Sequence, residues 1–421
     1  MSDETVRPEP NPDYKSRLRE ASLRAHRTEE ILYPEPDSSG MPITEDLITQ
    51  LYRAVSRVFA VSSVTRQPNE RVTARFDGAL LIDSEEAYRQ LEAAFAPLQH
   101  TPVFREQDGA PVILAMRGRY TPKPWPTWPN VLLLVLTLVS LLSVGASIEI
   151  SQRDIPINDL MDIYRNLVLG WPYALSLTLI LGAHEMGHFI AARRSQVATS
   201  WPYFIPLPYP ISIFGTMGAV IIQRTPPKNA RQAFDVGVAG PLAGLVVAIP
   251  VLLIGLATSP VQPTPNAPYM LEGNSILYAL SKFFVFGQFL PGGGVDVFIN
   301  QLAQAGWTGL FVTGLNLIPV GQLDGGHVLY ALLGERARRL YFPALAIMFA
   351  LALLVSQAWL LWVFLLFIFG RVYVPPLDTV TKMDSRRRLL AALVLIIFVL
   401  VFVPNPMELI VPQAGRFMPS V

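Results

Sequence analysis

The chain has 421 residues, 51% of them hydrophobic and only 15% charged, with a mean hydropathy of +0.38. A charged fraction well below the usual quarter or so points to a membrane protein, and a net charge of +1 offers no basic field for nucleic acid. There is no cysteine, which excludes disulfides and thiolate metal sites; any metal must be held by His, Asp or Glu.

Residues 1–40 are polar and proline-punctuated, with acids and bases mixed and no apolar stretch of the signal-peptide kind, and they read as a disordered tail. Residues 41–120 read as a small soluble α+β domain. Leu47, Leu51, Val55, Val58 and Phe59 have helical spacing over 46–60, and 71–78 alternates like a strand. Ser84 stands as the N-cap of a helix through Phe95, with Glu85 and Glu86 in its first turn, and Gln107-Asp-Gly joins two strands as a hairpin. This domain shows no catalytic cluster; His100 stands alone, as a surface or packing residue, and a partner for the domain is unknown.

Residues 121–130 form a stiff linker of alternating proline with interfacial tryptophans, and 131–404 form the membrane domain. A first span covers 131–148 and a second about 171–192. Basic residues before the first span (Arg117, Arg119, Lys123) and after the second (Arg193, Arg194) put both flanks, and the N-terminus, in the cytoplasm. Residues 201–223 are apolar but broken by Pro202, Pro206, Pro208 and Pro210, with basic residues on both sides. They read as a re-entrant, β-like segment that dips in and returns, with 211–222 as a strand or hairpin.

The span at 234–257 is rich in small residues (Gly237, Gly240, Ala243, Gly244), a pattern for close helix packing. Residues 275–290 are apolar but hold Lys282 and read as a surface or partial segment; 291–294 read as a flexible turn. Further spans follow at 307–333, 340–355, 359–369 and 389–403, and 405–421 is an external tail. The fold class expected is therefore an α-helical polytopic membrane protein of about seven spans plus the re-entrant segment, behind a small N-terminal α+β domain.

The second span carries His184-Glu-Met-Gly-His188. Histidines four apart are about 400° of helical rotation apart and stack on one face, so both imidazoles reach one zinc ion and Glu185 reaches water beside it as general base. Two core histidines beside a stray acid is the bland alternative, but ionisable groups inside an apolar span are costly and mark function. A catalytic zinc takes three protein ligands and keeps one open position. Apart from Glu185, Asp324 is the only carboxylate well inside an apolar segment; Asp235 sits at a span edge. Asp324 is therefore expected as third ligand, with capping of a broken helix as its structural alternative and His327 as an outer residue rather than a ligand. Asn316, in the same segment, either bonds across helices or holds an extended substrate backbone.

These residues resemble the site-2 protease family of intramembrane zinc metalloproteases. The resemblance rests on His184-Glu-Met-Gly-His188, on Ala239-Gly-Pro241, and on Asn316 followed by Leu323-Asp-Gly325. With Gly215-Thr-Met-Gly-Ala219 it looks most like the branch of plastid EGY-type proteins and their bacterial relatives, and it covers roughly 131–375. It implies one zinc per chain on His184, His188 and Asp324, Glu185 as base, and Asn316 as a substrate contact. It also implies a substrate that is a membrane-anchored protein cut within or beside its transmembrane helix, in the lipid bilayer. Many members have Asn-Pro-Asp-Gly where this chain has Gln322-Leu-Asp-Gly325, which leaves the ligand in place. The expected location is a prokaryotic inner membrane with the site toward the cytoplasm. The rivals are a metal-binding transporter, which needs polar groups along a path through the bilayer, and a proteolytically inactive scaffold, against which the intact Glu185 speaks.

Overall fold

The computed structural model describes residues 44–122, 124–370 and 375–411. The tail expected at 1–40 and most of 405–421 lie outside the described residues. Contacts divide the chain into two compact units, one reaching to Pro122 and taking in Arg224–Pro226, the other formed by Lys123–Gln223 and Pro227–Val421.

The first unit is α+β, as its alternation suggests. Helix α1 (Glu45–Val55) starts at Thr44, whose hydroxyl accepts from the Leu47 N–H at 3.2 Å. Strands β1 (Phe59–Asn69), β2 (Val72–Leu80), β3 (His100–Gln107) and β4 (Ala110–Arg117) pair antiparallel in the order β1-β2-β4-β3. Helix α2 (Ser84–Phe95) lies between β2 and β3 in sequence. Register puts Phe76, Ile113 and Phe104 side by side, and all three are buried, as are Leu51, Val55, Leu91 and Phe95 of the helices.

Two expectations change here, and a third, at His100, is narrowed. The helical spacing that runs to Ala60 stops at Val55, because Phe59 opens β1 and pairs with Leu80, a partner that local periodicity cannot show. The cap of α2 is Asp83, not Ser84: its carboxylate accepts from Glu85 N–H at 3.0 Å. His100 is a packing residue, buried, with Nδ1 2.6 Å from the Leu98 carbonyl and Nε2 2.7 Å from the Thr73 hydroxyl. A carbonyl only accepts, so Nδ1 carries the proton and the hydroxyl donates to Nε2. This satisfies a neutral ring, and burial lowers the pKa accordingly.

In the second unit, four helical stretches are long and apolar enough to cross a membrane among the described residues. They are α3 (Trp128–Gln152), Leu167–Arg194, α6 (Ala230–Ala257) and Asp324–Leu354. The second joins a 3-10 turn (Leu167–Gly170) to α5 (Trp171–Arg194), after the short α4 (Leu160–Arg165). The fourth runs through two helices and a 3-10 turn (Gly334–Leu340), and the spans expected within and after it are shorter as single helices. After α7 (Ile276–Phe286), α8 (Gln301–Asn316) and α9 (Asp324–Leu333) meet at an irregular turn. α10 (Tyr341–Leu354) and α11 (Trp359–Phe369) have 14 and 11 residues, about 21 and 17 Å of helix against a hydrocarbon core near 30 Å. α12 (Ser385–Val401) follows.

Residues 201–223 form a hairpin of β5 (Tyr203–Pro206) and β6 (Thr216–Val220) whose two ends meet: Ser200 N–H donates to the Ile222 carbonyl at 2.9 Å. Non-helical backbone at membrane depth needs protein partners. Here the Asn130 amide donates to the Trp201 and Pro202 carbonyls (2.8 and 3.0 Å). Ser140 hydroxyl donates to Gly215 carbonyl at 2.5 Å, Tyr164 hydroxyl to Tyr209 carbonyl at 2.7 Å and Tyr173 hydroxyl to Phe214 carbonyl at 2.9 Å. The polar residues of α3 to α5 thus hold the hairpin, whose entry and exit lie together.

Residues 258–304 contain more order than their composition suggests. β7 (Val261–Pro263) pairs with β9 (Val295–Val297), and β8 (Tyr269–Glu272) pairs with β10 (Met407–Ile410), a segment expected to belong to an external tail. Lys282 is not at the surface: it is wholly buried, 3.2 Å from Glu272 Oε1 and over the Tyr278 ring, and Tyr278 hydroxyl donates to the same carboxylate at 2.7 Å. A buried ammonium persists only with such partners.

Candidate metal centre

Along α5 an apolar stripe (Trp171, Leu175, Leu179, Ile190) is exposed, while Leu177, Leu181, His184 and His188 are buried on the other side. Turns of 3.6 residues put both histidines on the face that packs inward. The Nε2 atoms of His184 and His188 are 3.1 Å apart. Asp324, first residue of α9, brings Oδ2 to 3.3 Å from His184 Nε2 and Oδ1 to 3.3 Å from His188 Nε2. Leu323 occupies the N-cap position, so Asp324 is not a capping aspartate.

His188 Nδ1 lies 2.7 Å from the Val236 carbonyl oxygen in α6. The carbonyl accepts, so Nδ1 holds a proton and Nε2 is turned toward Asp324. Nε2 and the carboxylate oxygen, 3.3 Å apart, are held facing each other by a cation between them, a proton or a metal ion. Donors at 2.0–2.2 Å in tetrahedral array around zinc stand about 3.3–3.6 Å apart, close to the separations found, and two nitrogens with one oxygen suit zinc. Among the described residues His184, His188 and Asp324 form the one group able to hold a metal.

Two glycine features shape this arrangement. A Cβ on Gly240 of α6 would stand only 2.1 Å from His188 Nε2, and one on Gly244 would stand 3.2 Å from His184 Cβ. The small-residue face of α6 therefore makes room for the imidazoles, beyond the helix packing expected of it. A Cβ on Gly325 would run into the Leu317 carbonyl. The glycines beside Asp324 let α9 begin beneath its own incoming turn, 317–323. We expect Gly240→Ala to weaken zinc binding by at least about a hundredfold, the upper range for disturbed metal surroundings, and Gly244→Ala by far less. Competition with a chromophoric chelator measures both; equal zinc affinities for wild type and Gly240→Ala would contradict the packing argument.

Glu185 is buried next to the donors, and Asn316, last residue of α8, places Nδ2 3.3 Å from His184 Nε2. All of these, with His327, line one cavity of about 160 Å³; Ala219 and Val220 of β6, Ile221 just after it, and Leu323 add an apolar side. His327 lines the cavity without joining the donor group. Val236, whose carbonyl orients His188, carries no signal in the sequence because any residue supplies that oxygen. Asp235, noted at a span edge, is ion-paired with Arg387.

Residues 172–357 match Peptidase family M50. The chain is 31% identical over 273 residues to "Probable zinc metalloprotease EGY2, chloroplastic" of Arabidopsis thaliana, covering 60% of this chain and 46% of that protein. It is 29% identical over 321 residues to the Arabidopsis thaliana "Probable zinc metalloprotease EGY1, chloroplastic" (70% and 57%). It is 28% identical over 263 residues to an EGY2 protein of Oryza sativa subsp. indica (60% and 47%). The chain spans about half the length of these curated relatives. The match contains every residue of the candidate centre, from His184 to Asp324.

Proposed function

We propose that this chain, an integral membrane protein with a peptidase family M50 domain at 172–357, is an intramembrane zinc metalloprotease that cuts membrane-anchored proteins within or beside a transmembrane segment. The observation that carries the reading is the convergence of His184, His188 and Asp324 from α5 and α9, 3.1–3.3 Å apart, beside the buried Glu185. His184, His188 and Asp324 are the residues that would hold one zinc, and zinc there supplies Lewis acidity to water and to the scissile carbonyl. Glu185 accepts the water proton as the oxygen joins the carbonyl carbon, then passes it to the amine nitrogen as the C–N bond breaks.

A helical substrate hides its peptide bonds in backbone hydrogen bonds and must be extended to be cut. Strand β6 pairs with β5 on one edge only among the described residues, and its end lines the cavity. A substrate segment added to the other edge lies extended beside the metal donors, and Asn316 is placed to hold its backbone. The decisive experiment incubates the purified chain with a single-span protein, chelator and zinc, and maps the products by mass. Zinc-dependent cleavage inside the span supports the reading; a metal-independent cut, or none on a panel of such proteins, removes it.

We place the protein in the inner membrane of a prokaryotic cell, with the metal centre opening to the cytoplasm. Arg193, Arg194, Arg386 and Arg388 support this orientation, as do the joined ends of the 201–223 hairpin. The absence of native cysteine makes labelling direct. Single cysteines at Arg194, Lys228 and Glu335 should resist an impermeant thiol reagent in intact cells and react after permeabilisation. External labelling of Lys228→Cys would show that 201–223 crosses the membrane.

A further inference from the structure

We infer that Asp235 and Arg387 are positioning residues for the metal ligand His188, an inference that rests on the zinc-protease reading above. The Val236 carbonyl that orients His188 belongs to the first turns of α6, ahead of Pro241. Proline has no N–H, so the Gly237 carbonyl loses its intrahelical donor there and the segment 230–240 is less firmly tied to the rest of its helix. Its direction has to be held from outside.

The chain that follows α11 supplies the hold. Leu377 N–H donates to the Pro227 carbonyl at 3.0 Å and Asp378 N–H to the Lys228 carbonyl at 2.7 Å, just before the Asn229 cap of α6. Arg231 Nε donates to the Lys382 carbonyl at 2.9 Å. One turn further along α6, Arg387 at the start of α12 grips Asp235 with two parallel bonds, Nε to Oδ1 at 2.7 Å and the terminal nitrogen to Oδ2 at 2.6 Å. Arg387 also bonds Asp384, the N-cap of its own helix. A bidentate fork fixes both distance and angle, which one hydrogen bond does not. Asp235 directly precedes Val236, so rotation or withdrawal of this turn moves the carbonyl from His188 Nδ1. The ring then loses the hydrogen bond that fixes its tautomer and its aim.

The test measures zinc affinity of the full chain in detergent by competition with a chromophoric chelator, using zinc itself as probe. Asp235→Asn and Arg387→Lys each remove the fork while keeping size or charge. Each should weaken zinc binding on the order of tenfold, the lower end for partners of metal ligands. The double variant should be little worse than the weaker single one, since both remove the same contact. Asp384→Asn keeps a capping side chain and leaves the fork alone, and should bind like wild type. Saturating zinc should restore proteolysis by the fork variants, which a general loss of folding would not permit. Wild-type affinity in both fork variants, or an equal loss in Asp384→Asn, would overturn the assignment. A wild-type chain that binds no zinc would overturn the metalloprotease reading and this inference with it.

Discussion

Glu185→Gln should retain zinc at wild-type level and lose proteolysis by at least two to four orders of magnitude, the range for removing a positioned general base. Glutamine matches glutamate in size, so the buried site beside His184 keeps its packing. An amide oxygen is a far weaker base than a carboxylate, and an amide cannot carry the proton to the leaving nitrogen. Hydrolysis then stops at proton transfer while metal binding, proposed to use His184, His188 and Asp324, continues. Metal content and product formation measured on one preparation separate the two effects. Cleavage within tenfold of wild type in a clean preparation would show that Glu185 is not the base.

Asp324→Ala should lose both metal and activity. If three ligands share a zinc-binding free energy of roughly 12 kcal/mol about evenly, removing one costs about 4 kcal/mol, or about a thousandfold in affinity. The loss reaches further than the bond count. Asp324 is the only member of the group from α9, the other two being on α5, so the alanine variant leaves two imidazoles on one helix and no ligand across from them. It also leaves His188 Nε2 and His184 Nε2 3.1 Å apart without the carboxylate that faces both. Metal analysis of purified protein is the measurement. Zinc retained at wild-type stoichiometry and affinity would remove Asp324 from the ligand set.

The residues of the centre are legible in the sequence because their chemistry is local or costly. Histidines at 184 and 188 announce a shared helix face through their spacing, and a carboxylate at 324 inside an apolar run announces a function through its burial cost. The hairpin at 201–223 is legible as an interruption, since four prolines and flanking charge leave little room for a spanning helix. Its register is not, because the polar residues that hold it, Asn130, Ser140, Tyr164 and Tyr173, come from three other helices.

The same division runs through the rest of the chain. Composition and periodicity by themselves determined that the chain enters a membrane, that an α+β unit precedes it, and that one helix carries a paired-imidazole site. Those properties depend on neighbours within a turn or a pleat. Only the tertiary structure decided that Phe59 opens a strand, that Lys282 is buried with Glu272, and that Met407–Ile410 pairs with Tyr269–Glu272. It alone set Gly240 against His188 and the Val236 carbonyl on His188 Nδ1. Each of these is a pairing between different elements, ten or more residues apart in sequence, and two of them act through a backbone oxygen or an absent side chain. Such atoms are shared by many residue types, so no sequence pattern marks them; their role exists only once the fold has placed them.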